Sequence, residues 1–115
     1  DIAEAFDLLE TEESSHMLDT RGYLRYLAGD YSRAQVDMER AVELAEASAE
    51  LGLLRQAQSL TPTQVIVPDI RTRHELAVLY HHRGLVYQQL GKTEAAKADL
   101  DLAEKLGYDP EKGVW

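Results

Sequence analysis

Three of the four histidines lie in one basic segment of this 115-residue chain, and histidine is the side chain best suited to metal binding or proton transfer near neutral pH. His74 and His81 are seven residues apart, so a helix would place them on one face but about 10 Å apart along its axis. Helical zinc sites usually place two histidines four residues apart, and the chain has no cysteine to complete a site. The sequence therefore predicts no metal site, and His81 and His82 are interpreted as contact residues.

No group of residues has the arrangement that catalysis requires. Serine, histidine and aspartate are all present, but no nucleophile elbow, glycine-rich phosphate loop or metal motif surrounds them. The 21 acidic residues do not indicate an acid–base pair, because carboxylates are abundant in any acidic helical protein. We therefore expect a protein without enzymatic activity and without a cofactor.

The composition indicates a single helical domain that would position any functional residues. Hydrophobic residues make up 44% of the chain, and it contains only three prolines and seven glycines. No stretch approaches the roughly 18 consecutive apolar residues that a membrane span needs. We expect a protein that does not insert into a membrane.

A pattern of glycine and alanine occurs twice, 62 residues apart. Each copy predicts two helices folded back on each other, because the second glycine permits a tight turn and the alanines share one face of the following helix. The small residues let the two backbones approach closely. The repeated positions are Gly22, Gly29, Ala34 and Ala41 in the first copy, and Gly84, Gly91, Ala96 and Ala103 in the second.

The two copies resemble the tetratricopeptide repeat family. The residues that carry the resemblance are Leu18, Gly22, Gly29, Asp30, Tyr31, Ala34, Met38 and Ala41, then Tyr80, Gly84, Tyr87, Leu90, Gly91, Ala96, Leu100 and Ala103. Arg25 departs from the family pattern, which usually has an aromatic or large apolar residue there. The resemblance implies an all-α fold of antiparallel helix-turn-helix repeats, an α-solenoid that binds proteins or peptides.

About five helices are expected along the chain. Ser14 or Ser15 can cap the second helix, and Asp30 can cap the third. The predicted divisions are residues 1–13 as the second helix of a partial upstream repeat, 14–48 as a repeat, 49–76 as an insertion, 77–107 as a repeat and 108–115 as a C-terminal cap. We expect Tyr108, Val114 and Trp115 of that cap to dock against the last helix.

The insertion follows from the spacing of the two copies. Adjacent repeats of this family are about 34 residues apart, so the separation of 62 residues leaves about 28 extra residues. The pattern after Ala45 stays helical, and residues 60–68 contain two prolines that predict a loop. The insertion thus lengthens the two central helices, with a break at Gly52 as the alternative.

Each predicted hairpin contains an arginine facing an aspartate. Arg21 and Arg83 lie midway along the first helix of their repeats, and Asp37 and Asp99 lie midway along the second. Because the helices of a hairpin are antiparallel, we expect Arg21 to pair with Asp37, and Arg83 with Asp99, as structural ion pairs.

The concave face, which the resemblance assigns to the first helix of each repeat, is the predicted binding surface. Tyrosines there offer contact area together with a hydrogen bond, as binding surfaces often do. The residues predicted to line it are His16, Asp19, Tyr23, Tyr26, Val78, His81, His82, Leu85, Gln88 and Gln89, with Thr20 and Leu27 beside them.

The distribution of charge along the chain indicates which kind of partner it prefers. The net charge is −9, and residues 1–50 hold thirteen acidic and four basic residues. An acidic half favours a basic protein or peptide as partner, and it disfavours nucleic acid, which needs a concentrated basic face.

The favoured function is therefore a protein-interaction module that is not an enzyme. One alternative is a structural scaffold that self-associates into homo-oligomers through residues 45–76, and another is a regulatory segment of a larger enzyme. The sequence does not identify the compartment, although a soluble, cytoplasmic protein is favoured. The chain opens at Asp1 without methionine, as a fragment would, so the absence of a signal peptide from it carries little weight.

Overall fold

The computed structural model describes residues 14–59 and 70–108, with side chains for 14–50 and 72–108. Four helices occur there: α1 (Ser15–Leu27), α2 (Tyr31–Ser59), α3 (Ile70–Gln89) and α4 (Thr93–Lys105). No strand occurs in these residues, so the predicted all-α class is confirmed. The expected count of five helices differs from the four described, because the predicted first helix falls in residues 1–13, outside the described part.

Capping residues fix where the helices start. Ser14 has extended backbone geometry, and its hydroxyl accepts a hydrogen bond from the Met17 amide at 3.0 Å. Asp30 Oδ1 accepts a longer bond of 3.4 Å from the Arg33 amide at the start of α2. Both caps satisfy backbone donors that the first helical turn would otherwise leave free.

Glycine turns join the helices of each hairpin. Gly29 has φ 85° and Gly91 has φ 76°, in the left-handed region that residues with a Cβ rarely adopt. After these turns the amides of Asp30 and Lys92 bond back to the carbonyls of Arg25 and Tyr87, at 2.9 Å in both cases. The equal geometry follows from the equal sequence spacing.

The two central helices are longer than the outer two. α2 has 29 residues and α3 has 20, whereas α1 and α4 have 13 each. α2 continues through Gly52 without interruption, so the alternative of a break there is wrong. One glycine costs about 1 kcal/mol in a helix, and the Ala, Leu, Glu, Gln and Arg residues on either side of Gly52 favour the helix enough to offset that cost. The predicted loop at 60–68 lies outside the described residues.

The helices pack as two antiparallel hairpins, α1 with α2 and α3 with α4, and α2 also packs against α3. Close approach within each hairpin depends on one glycine. A Cβ on Gly22 would lie 2.8 Å from Met38 Sδ, and one on Gly84 would lie 2.9 Å from Leu100 Cδ2. The shared core comprises Leu18, Ala34, Met38, Ala41, Val42, Ala45, Leu79, Tyr80, Val86 and Ala103.

After α4 the chain turns back toward α3. Gly107 has φ 102°, and the Tyr108 amide donates to the Ala103 carbonyl at 3.0 Å. The Tyr108 ring then stacks on His81 of α3. Val114 and Trp115, which we also expected to dock, lie outside the described residues.

Candidate functional site

A buried carboxylate lies between α1 and α2. Asp37 is only 2% exposed, and Arg21 donates from Nε and Nη2 to its two oxygens at 3.1 and 2.8 Å. Arg25, which the sequence analysis did not assign to this site, donates from Nη1 to Asp37 Oδ2 at 2.8 Å. Two guanidinium groups thus share one buried carboxylate, which compensates for its removal from water.

The equivalent site in the second hairpin has one arginine. Arg83 donates from Nε and Nη2 to Asp99 at 2.7 and 2.8 Å. Its guanidinium also lies 5.6 Å from the ring centre of Tyr80 and 5.7 Å from that of Tyr87. The hydrogen bonds to Asp99 raise the pKa of Arg83, although burial acts in the opposite direction, so the guanidinium stays charged.

Two tyrosine hydroxyls join α3 to α2. Tyr80 donates to Glu46 Oε2 and Tyr87 donates to Glu39 Oε2, each at 2.8 Å. Burial, and then the hydrogen bond to glutamate, raises the pKa of each hydroxyl to about 12. These contacts cross the predicted insertion, so no regular spacing in the sequence indicates them.

The two hydroxyls should make the protein lose stability above pH 10. The folded state raises both pKa values from 10.0 to about 12, so the unfolded chain ionises first. Their contribution is therefore complete below pH 10 and is lost as the pH rises toward 12. Each hydroxyl should lower the free energy of unfolding by roughly 1 kcal/mol per pH unit in that window.

Urea unfolding across this alkaline window measures that slope. Tyr80→Phe and Tyr87→Phe should each remove about half of the tyrosine contribution, and the double variant should remove it. If the free energy of unfolding of the double variant fell with pH as steeply as that of the wild type, groups other than these two tyrosines would cause the alkaline loss of stability.

Six aromatic rings form a continuous row across α1, the start of α2, α3 and the turn after α4. We call this row the aromatic row; its members, in spatial order, are Tyr31, Tyr26, Tyr23, His82, His81 and Tyr108. Neighbouring ring centres are 5.7, 5.8, 4.4, 6.2 and 4.0 Å apart in that order. All six residues are half-buried, so each ring retains some contact with solvent. The row is therefore both ordered by mutual contact and accessible.

The centre of the row holds α1 against α3. His82 Nδ1 and Asp19 Oδ1 are 2.6 Å apart, and the two side chains are mostly buried, at 15% and 14% exposure. The His82 ring also stacks on Tyr23, with centres 4.4 Å apart. Burial, and then the neighbouring His82, lowers the pKa of His81, which favours its neutral ring at neutral pH.

The structure brings together half of the residues predicted for the binding face. Five of the ten predicted residues lie in or directly beside the aromatic row: Asp19, Tyr23, Tyr26, His81 and His82. Tyr31 and Tyr108 also belong to the row, although neither was predicted to line this face. The remaining predicted residues are outside the row: His16, Gln88 and Gln89 are exposed, and Val78 and Leu85 are half-buried.

Gln88 belongs to a different surface. It lines a shallow groove between α3 and α4 together with Thr93, Ala96, Lys97, Leu100 and Asp101. This groove and the aromatic row are separate candidate contact surfaces, and they can be tested against each other.

Within residues 14–59 and 70–108, no group of three or more His, Asp, Glu or Cys side chains is arranged to hold a metal ion. No helix in the same part of the chain combines the length and the apolar character needed to cross a membrane.

Comparison with known protein families gave a match to the second hairpin. A family model for the tetratricopeptide repeat matches residues 77–106, which cover most of α3 and all of α4. Neither the comparison with curated proteins nor that with solved structures found a match. Residues 77–106 therefore form a tetratricopeptide repeat, a helical hairpin of the kind that serves protein–protein interaction.

Proposed function

We propose that this chain binds a protein or peptide segment along the face that α1 and α3 share, with the aromatic row as the main contact. The observation that carries this proposal is the row itself, because six half-buried rings are held in contact across α1, α2, α3 and the turn after α4. Tyrosine rings supply large, rigid contact area at a low entropic cost, which is why they are enriched at binding surfaces.

We infer that residues 14–48 form a second repeat. The family model does not extend to them, but two features of residues 77–107 recur there at the same spacing. Asp37 and Asp99 are both buried and both bonded to an arginine sixteen residues earlier. Gly29 and Gly91 have the same left-handed turn. The proposed face needs this second repeat, because α1 belongs to residues 14–48 and α3 belongs to the repeat that the family model matches.

A basic segment is the partner that the charge favours. The chain carries a net charge of −9, which raises the local concentration of cationic partners and repels nucleic acid. Tyrosine ring faces attract guanidinium and ammonium groups, at about 0.5–1 kcal/mol for each exposed pair. We therefore expect a bound peptide to place arginine or lysine over the exposed parts of Tyr23, Tyr26 or Tyr31.

A display library of random short peptides tests this function without knowledge of the partner. Immobilised protein should enrich peptides that contain arginine or lysine. Tyr23→Ala should weaken the binding of the enriched peptides at least about tenfold, because it removes the ring that joins the α1 and α3 parts of the row. Calorimetry on synthetic copies of the enriched peptides measures this change.

Lys97→Ala is the matched control, since Lys97 lines the groove between α3 and α4 and is remote from the row in sequence and contacts. It should leave the affinity unchanged. Peptides that bind Tyr23→Ala as tightly as wild type, or that lose affinity only with Lys97→Ala, would overturn the proposed face.

Self-association is the competing function, and the length of the central helices favours it. α2 and α3 extend beyond the two compact hairpins, and such extensions can pair between copies. Light scattering at micromolar concentration distinguishes the two functions. A monomer that still binds the selected peptides supports the interaction module, and a dimer that loses binding when residues 45–76 are altered supports the scaffold.

A further inference from the structure

The side chain of His82 makes one hydrogen bond within the described residues, and this bond fixes which ring nitrogen carries a hydrogen. His82 Nδ1 lies 2.6 Å from Asp19 Oδ1. An ionised carboxylate only accepts hydrogen bonds, so Nδ1 is the donor. A neutral imidazole has a single N–H, and its second nitrogen is then an acceptor. In the neutral ring, His82 Nε2 is therefore a hydrogen-bond acceptor.

This acceptor nitrogen is open to solvent. His82 Nε2 has no hydrogen-bond partner among the described residues. In the same part of the chain, every buried side-chain nitrogen and oxygen does have such a partner. Nε2 must therefore reach the surface, although the His82 side chain as a whole is only 15% exposed. The small exposed part of this side chain includes the nitrogen that accepts hydrogen bonds.

The surroundings of the His82 ring favour a cationic donor. Tyr23 stacks on the ring with centres 4.4 Å apart, and the centre of the His81 ring is 6.2 Å away. Asp19 adds a carboxylate, and within the described residues no lysine or arginine pairs with it. An acceptor nitrogen, an aromatic ring face and a negative charge without a cationic partner thus lie together at the centre of the aromatic row.

We propose that His82 Nε2 accepts a hydrogen bond from a cationic N–H donor, a lysine or arginine side chain of the bound segment. Asp19 is the positioning residue, because it holds the ring hydrogen on Nδ1 and supplies the negative charge. This inference rests on the proposed function, since His82 lies at the centre of the proposed face. It adds that the face selects hydrogen-bond donors as well as positive charge.

Methylation of lysine separates this hydrogen bond from the attraction between a cation and the rings. Acetylated tetralysine amide and its fully trimethylated form carry the same charge, but the trimethylated side chains have no N–H. Aromatic faces bind both, because they also attract quaternary ammonium groups. Tetralysine should bind the full chain about fivefold more tightly than the trimethylated form, as the loss of one hydrogen bond predicts. Calorimetry at about pH 8, where histidine is neutral, measures both affinities.

Two variants assign the difference between the probes to this site. Asp19→Ala combined with His82→Phe removes both polar groups and keeps a ring beside Tyr23, so the two probes should bind this variant about equally. Asp101→Ala is the matched control, because Asp101 lines the groove between α3 and α4 and its loss removes the same charge. It should keep the difference. Equal affinities of the two probes for the wild type, or an unchanged difference in the double variant, would overturn the inference.

Nitrogen NMR of the histidine rings tests the acceptor in the unaltered protein, so the result does not depend on whether a variant folds. In the free chain His82 should carry its hydrogen on Nδ1. Its Nε2 signal should shift when tetralysine is added, and much less when the trimethylated form is added. The exposed His16 is the internal reference, since neutral histidine in water carries its hydrogen mainly on Nε2. A His82 ring with its hydrogen on Nε2 would contradict the proposed acceptor.

Tyr23→Ala separates a failure of this inference from a failure of the proposed face. If Tyr23→Ala weakens the binding of both probes while methylation makes no difference, the face stands and the acceptor role of His82 is wrong. If Tyr23→Ala leaves both affinities unchanged, the proposed face fails and the inference fails with it.

Discussion

Arg83→Met should lower the free energy of unfolding by about 3 kcal/mol, whereas Arg21→Met should lower it by only about 1 kcal/mol. The two arginines occupy equivalent positions, but their carboxylates have different second partners. Without Arg83, the buried Asp99 has no other arginine bonded to it among the described contacts. Without Arg21, Asp37 keeps the bond from Arg25. Solvent adds to the difference, because the Arg21 side chain is 48% exposed and that of Arg83 is 21% exposed.

Urea unfolding at neutral pH measures both losses. Methionine keeps most of the arginine side-chain volume, so the comparison isolates the charge and its hydrogen bonds. The double variant Arg21→Met with Arg25→Met removes both partners of Asp37 and should approach the loss seen for Arg83→Met. Equal losses in the two single variants would show that Arg25 does not compensate.

Met38→Ala should cost about 3 kcal/mol, because Met38 is fully buried where α1, α2 and α3 meet. Gly22→Ala should also destabilise the protein on its own, since the new Cβ would lie 2.8 Å from Met38 Sδ. The two changes should partly compensate each other. In the Met38→Ala background, Gly22→Ala fills part of the cavity and should restore about 1 kcal/mol.

Recovery should stay incomplete because the Gly22 Cβ would also lie 3.0 Å from Asp37 Cβ, which the buried ion pairs hold in place. A thermodynamic cycle of the four proteins by urea unfolding gives the coupling energy. Strictly additive losses would contradict the close contact between Gly22 and Met38 on which the first hairpin depends.

The fold could be predicted because its determinants are local and are repeated. The turns at Gly29 and Gly91 need a residue that tolerates positive φ, and this requirement is visible in the sequence. The cap by Ser14 is equally local. Comparing the two copies then revealed the separation of 62 residues, which predicted the two long central helices.

Contacts across the insertion could not be predicted in the same way. Tyr80 reaches Glu46, and Tyr87 reaches Glu39, across segments whose relative register depends on residues between the repeats. Arg25 was noticed only as a departure from the family pattern. Its bond to Asp37 gives that departure a physical reason, because a second cation replaces the apolar contact of a typical repeat.

The binding face was predicted only in outline. Helical periodicity placed Tyr23 and His82 on neighbouring first helices, but it could not show that their rings stack. Tyr31 and Tyr108 lie at helix and turn boundaries, where periodicity is uninformative, yet they extend the aromatic row at both ends. Gln88 was predicted to lie on the same face of α3, but its side chain lines the separate groove between α3 and α4.

Mapping a library-selected peptide by changes in amide NMR shifts is the most direct test of the proposed binding face. We expect the largest changes at the amides of Tyr23, Tyr26 and His82, on both α1 and α3. Changes concentrated at Lys97 and Leu100, in the groove between α3 and α4, would contradict it.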